Sequence, residues 1–79
     1  MTFKTMIEQH FGMGASDRMY QEVKKTGIIF TRNQLGLGIL FACQLKEQDP
    51  SKTLEAATRE GLGKALLCNY KGGNHGKSK

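Results

Sequence analysis

The chain has 79 residues, 38% of them apolar, with two cysteines, one proline and no tryptophan. A chain of this length forms one small domain whose core leaves little room for a deep enclosed pocket, which favours binding by a surface over enzymatic work. The formal charge of +5 divides unevenly: residues 1–70 carry nine of the 12 Lys and Arg against all seven acids, and KGGNHGKSK at 71–79 holds the other three cations.

Phe3, Met6, Ile7, His10 and Phe11 recur at the spacing of one helix face, with Thr2 placed to cap the helix and GMGA at 12–15 to end it. Ser16 then opens SDRMYQEVKKTG as a second N-cap. Asp17 suits the first turn, Lys24 and Lys25 the last, and Gly27 the position after the helix end. Met19, Tyr20 and Val23 form the apolar stripe of this helix.

Residues 28–30, IIF, are short and β-like, and TRNQ at 31–34 offers a capping box between Thr31 and Gln34. LGLGILFACQLKEQ follows, rich in Leu, Ala, Gln, Lys and Glu, and is read as a helix over 31–48 that is apolar nearly all round, as a central buried helix is. The alternative is a hairpin of strands 28–32 and 37–45, in which Ile39, Phe41, Cys43 and Leu45 alternate.

That alternative makes the fold α+β, with helices packed on a small antiparallel β-sheet. Its order of helix, strands and a C-terminal helix beginning SKTLEAA (51–57) is similar in outline to double-stranded-RNA-binding domains, mainly over residues 51–66. The resemblance implies contact with duplex RNA. The chain departs from that family by lacking its Gly-Pro-x-His loop and by carrying Leu54 where a small residue stands.

Asp49-Pro50 breaks the third element, since Pro cannot continue a helix yet suits the first position of the next. Leu54, Ala57, Thr58, Gly61, Leu62, Ala65, Leu66 and Asn69 then keep helical rhythm, predicting a final helix over about 50–70 that stops at Gly72-Gly73. Glu55–Arg59 and Glu60–Lys64 are spaced as i, i+4 pairs along it.

GLGILFAC at 36–43 is echoed by GLGKALLC at 61–68. If the last two helices are antiparallel about 49/50, Gly38 lies level with Gly61, Ala42 with Ala57 and Leu37 with Leu62. Two rows of small residues meeting at one level let the backbones approach closely, which offsets the cost of about 1 kcal/mol for each glycine inside a helix. Gly36 and Gly63 fall off the contacting faces. The same register sets Cys43 and Cys68 about 18 Å apart along the axis, too far for a disulfide. Both are read as small buried hydrophobes. The other face of the third helix, with Leu37, Leu40, Phe41 and Cys43, is expected to be covered by the first two helices together with Ile28, Ile29 and Phe30.

No motif names a chemistry. GKS at 76–78 lacks the first glycine of a phosphate-binding loop, because position 71 is Lys, and no helix follows it. His10, His75, Cys43 and Cys68 do not stand at metal-ligand spacing, and His10 on an apolar helix face is read as a hydrogen-bonded structural residue. No catalytic, cofactor or metal residue is assigned.

The fold expected is mainly α: a compact four-helix single domain over 1–71 with a close-packed C-terminal helical hairpin, followed by a flexible basic tail at 72–79. The function expected is that of a non-enzymatic binding protein in the cytoplasm, without a membrane segment or cofactor. It acts stoichiometrically on a larger protein or nucleoprotein partner as inhibitor, adaptor or accessory subunit. The alternative is nucleic-acid binding, with Lys71, His75, Lys77 and Lys79 contacting phosphates and Arg32 and Asn33 at a helix N-terminus reading bases.

Overall fold

A computed structural model describes residues 2–75, with side chains described through Leu67. Four helices follow one another: α1 (Phe3–Phe11), α2 (Ala15–Lys25), α3 (Arg32–Gln48) and α4 (Leu54–His75). The described residues contain no strand. The mainly α reading therefore stands, and the hairpin alternative, with its likeness to double-stranded-RNA-binding domains, is overturned: residues 36–45 lie inside α3. Leu, Ala, Gln and Lys hold the helix against the alternation of Ile39, Phe41, Cys43 and Leu45.

Local signals set most of the helix ends. The Thr2 hydroxyl accepts the Thr5 amide at 3.2 Å to cap α1. At α3 the capping box is complete: the Thr31 hydroxyl accepts the Gln34 amide at 3.0 Å, and the Gln34 side-chain oxygen accepts the Thr31 amide at 2.8 Å. The turn after α1 needs two left-handed positions, and glycine supplies both, Gly12 at φ 103° and Gly14 at φ 78°.

Two starts differ from expectation. Helix α2 begins at Ala15 with Gly14 as its cap, and Ser16 is buried rather than capping. Helix α4 begins at Leu54 rather than near Pro50. The Asp49 carboxylate accepts both the amide and the hydroxyl of Ser51, which holds 49–51 in a turn, and the Thr53 hydroxyl accepts the Ala56 amide at 3.1 Å, so Thr53 caps the helix. Lys46 pins that turn by donating to the carbonyl oxygens of Pro50 and Lys52. At its other end α4 runs through Gly72-Gly73 to His75, since glycines weaken a helix without forbidding it.

Helices α3 and α4 form the antiparallel hairpin, and glycine sets its spacing. A Cβ on Gly38 would meet Leu62 Cδ2 at 2.6 Å, and one on Gly61 would fall against the Gly38 carbonyl oxygen and 2.8 Å from the Ala42 nitrogen. The backbones thus meet at the level where the two glycines face each other. Ile39, Ala42, Cys43, Leu54, Ala57, Leu62 and Ala65 are buried around this contact. Gly36 has its own reason: its missing side chain leaves room for the Phe3 ring, 3.2 Å from where a Cβ would stand. Around Gly63 there is open space. Cys43 is buried and free, whereas the Cys68 side chain lies outside the described residues.

The first hairpin lies on the second with matching direction. His10 of α1 bonds Glu47 of α3, while Arg18 and Glu22 of α2 bond Glu55 and Arg59 of α4. Each partner is 37 residues further along the chain, so α1 runs parallel to α3 and α2 to α4. Ile7, Ala15 and Met19 enter the core from this layer. The ion pairs also correct an expectation, since Glu55, Arg59 and Glu60 reach across helices or to Lys52 instead of pairing along α4.

One end of the molecule therefore holds the turns at 12–14 and 49–53. The other holds the starts of α1 and α3 and the linker from α2 to α3. Ile28 and Ile29 in that linker do not cover α3 as expected: Ile29 is 95% exposed.

Candidate functional site

Helix α1 has nine residues and α3 has 17, so one cannot sheathe the other. Near the start of α3 this mismatch leaves an open groove of about 580 Å³, lined by Phe3, Arg32, Asn33, Gly36, Leu37 and Leu40. Asn33, Leu37 and Leu40 follow one another at helical spacing along α3, and Phe3 forms the opposite wall. Gly36 is the notch that lets the Phe3 ring approach the helix closely, so the groove owes its shape to an unsubstituted position.

Burial of the wall is incomplete. Phe3 remains 45% exposed and Leu40 41%. Ile28, Ile29 and Leu67 add apolar surface at the same end, Leu67 falling level with Arg32 in the antiparallel register. Among the large hydrophobic residues described as exposed, Met13 alone belongs to the turn end.

Charge is polarised along the same axis. The turn end mixes Asp17, Glu47, Asp49 and Glu55 with Arg18, Lys46 and Lys52 and is close to balanced, whereas Lys4, Lys24, Lys25 and Arg32 sit at the groove end with Lys64 beside it. Glu22, the acid nearest the groove end of α2, is 3% exposed and accepts from Lys25 and Arg59. Among the described residues, Arg32 and Lys4 have no carboxylate partner, and both are exposed.

Of the residues expected to bind nucleic acid, Arg32 and Asn33 are brought together on the groove wall. Their neighbours Thr31 and Gln34 commit their side-chain oxygens as acceptors in the capping box, which ties both side chains to the start of α3. Lys71 and His75 fall in α4, but their side chains lie outside the described residues, as do Lys77 and Lys79 altogether. Phe3, Gly36, Leu37 and Leu40 were not recognised as a site in the sequence. Their signal was the unequal length of the first and third helices.

The other chemistry-bearing side chains are engaged in packing. The His10 Nδ1 lies 2.8 Å from the Met6 carbonyl oxygen and its Nε2 2.6 Å from Glu47, so neither ring nitrogen is free to serve as a base. Burial pushes the Cys43 thiol up to about 11, far from a nucleophilic thiolate at neutral pH. Among the described residues, no three His, Cys, Asp or Glu side chains gather as a metal site would require, and no helix is long and apolar enough to cross a membrane.

Comparison with protein-family models, curated proteins and solved structures returns no match. The functional reading therefore rests on the groove and its surroundings.

Proposed function

We propose that this is a non-enzymatic binding protein that acts stoichiometrically on a larger macromolecular partner and engages it through the groove between α1 and α3. The observation that carries the reading is the half-exposed apolar wall of Phe3 and Leu40, with Ile28, Ile29 and Leu67 also exposed toward the same end of a small molecule. Exposed apolar side chains gathered in a groove with polar residues beside them are a usual mark of an interaction site. An inhibitor, an adaptor or an accessory subunit fits this description. Cytoplasmic residence belongs to the same reading, since the chain has only two cysteines, neither in a C-x-x-C pair, and Cys43 is buried and free.

Nucleic-acid binding is the competing reading. It draws on Arg32 and Asn33 and on Lys71, His75, Lys77 and Lys79, but an apolar groove floor offers phosphates nothing. Retention of partners from an extract of the producing cells tests the choice, with Leu40→Glu and Gly63→Glu as paired baits. A protein retained in equimolar amount by the native chain and by Gly63→Glu, and lost with Leu40→Glu, supports the groove. Nuclease-sensitive retention that ignores Leu40 and needs residues 72–79 supports nucleic acid.

A further inference from the structure

We infer that the occupant of the groove is an acidic amphipathic helix of a partner protein, which sets its apolar face on Phe3, Leu37 and Leu40 and a carboxylate on Arg32. The inference rests on the groove reading and names the chemistry of the partner. Three observations converge on it.

The first is shape. Asn33, Leu37 and Leu40 lie in a row along α3, with Phe3 across from them and the Gly36 notch between. A trough walled by helices, with apolar residues at helical spacing, receives a helix whose own anchors stand at i, i+3 or i+4, and i+7.

The second is charge. Arg32 projects from the first turn of α3 at the groove, and Lys4 follows Phe3 on α1, both exposed and without a carboxylate partner among the described residues. The acids of the molecule are mostly at the far end or held in ion pairs, such as Glu22 with Arg59 and Glu60 with Lys52. Arg32 in the wall, with Lys4 beside Phe3, sets positive charge next to an apolar floor, which selects a ligand that combines apolar anchors with carboxylates and disfavours one that carries cations there.

The third excludes a second copy of this chain. Two molecules of formal charge +5 joined by their groove ends would bring Lys4, Lys24, Lys25 and Arg32 together twice over. Such an interface repels itself. A bilayer surface shares the preference for basic and apolar groups, but it is flat, whereas Phe3, Leu37 and Leu40 line a concavity.

The test uses the full chain labelled with nitrogen-15. Its probes are two synthetic helical peptides with the same Leu and Phe anchors, one carrying Glu and the other Lys at the flanking positions. Phosphatidylcholine vesicles doped with phosphatidylserine and a short RNA duplex serve as competitors. The expected result is one-to-one binding of the Glu peptide, with the Gly36 amide and the Arg32 side-chain Nε–H shifting together, and at least about tenfold weaker binding of the Lys peptide. Arg32→Glu should cost the Glu peptide about tenfold and reverse the preference. That variant places an acid in the first turn of α3, where the helix dipole favours it, so its fold is retained.

Equal affinity for the two peptides, binding that leaves Gly36 unmoved, no binding of the Glu peptide, or its displacement by vesicles or RNA each overturns the acidic-helix inference. Should the peptides fail while Leu40→Glu still abolishes equimolar retention of a cellular partner, the occupant has been misjudged and the groove has not. Failure of both removes the groove as well.

Discussion

Gly61 stands against the backbone of Gly38, so close that a Cβ on Gly61 would strike the Gly38 carbonyl oxygen and come within 3.2 Å of the Ala42 Cα. Neither atom can swing away as a side-chain tip would. Gly61→Ala must therefore push α3 and α4 apart and open the close contact between their backbones. Overpacking costs about 1–3 kcal/mol, and the gain in helix propensity returns about 1 kcal/mol; because the clash is with backbone, the upper end applies and a net loss approaching about 2 kcal/mol is expected. Gly63→Ala, two residues away with open space around it, has only the propensity term and should gain about 1 kcal/mol. Urea unfolding of the two variants checks the pair of signs. Equal effects would mean that the helices do not touch at this level.

Glu22 and Arg59 join α2 to α4 at 3.1 Å, with the Glu22 side chain buried and that of Arg59 largely in solvent. The asymmetry decides which truncation hurts more. Removing Arg59 leaves a buried carboxylate with Lys25 as its remaining partner, 3.3 Å away, whereas removing Glu22 leaves a cation that water can solvate. Arg59→Met is expected to cost about 2 kcal/mol, less than the loss for a fully buried pair because Lys25 stays. The double variant Glu22→Leu with Arg59→Met should recover most of that loss. A double-mutant cycle by urea unfolding measures it, and an additive cycle would show that the pair is not coupled.

Much of this fold was legible because the signals are local. Thr2, the Thr31–Gln34 box and the breaks at Gly12, Gly27 and Pro50 each act within a turn of their own position. The Gly38–Gly61 contact followed from counting outward from one turn. Charge partners did not follow in this way. Glu55 and Arg59 have the spacing to pair along α4, yet each finds a partner on α2, and only the packing of that helix brings Arg18 and Glu22 within reach. The burial of Glu22 was hidden for the same reason. The groove was hidden because it is a deficit: it exists where α1 is too short to cover α3, and no residue spells that out. Ile29 shows the converse, an apolar residue that the fold leaves in water.

Cys43 offers a probe of opening. It is buried between α3 and its neighbours, and burial holds its thiol near 11. Neither access nor thiolate is available in the native state. Iodoacetamide should therefore modify Cys43 only through the unfolded fraction, at a rate that rises with urea in step with loss of helix. Mass spectrometry of the peptide containing Cys43 follows this, and prompt alkylation of the native protein would contradict the burial.

His10 makes the junction of α1 and α3 sensitive to pH. Its Nδ1 faces the Met6 carbonyl oxygen and its Nε2 faces the Glu47 carboxylate. Neutral imidazole has one N–H and can satisfy only one of these acceptors, whereas imidazolium donates to both. The hydrogen bond to Met6 first, and then that to Glu47, raise the pKa above 6.5 against a smaller opposing effect of burial. A folded-state value above the unfolded one means that protonation stabilises the fold. This stabilisation is complete below pH 6.5 and fades as pH rises through the raised value. The stability of the native chain relative to His10→Gln should therefore be greater near about pH 6 than near about pH 8. Glu47→Gln should lower the His10 pKa without returning it fully to 6.5, because the Met6 carbonyl remains. Nuclear magnetic resonance of the His10 ring protons gives the pKa directly. A value at or below 6.5, or a constant gap between the native and His10→Gln stability curves, would show that the histidine is not bridging the two helices.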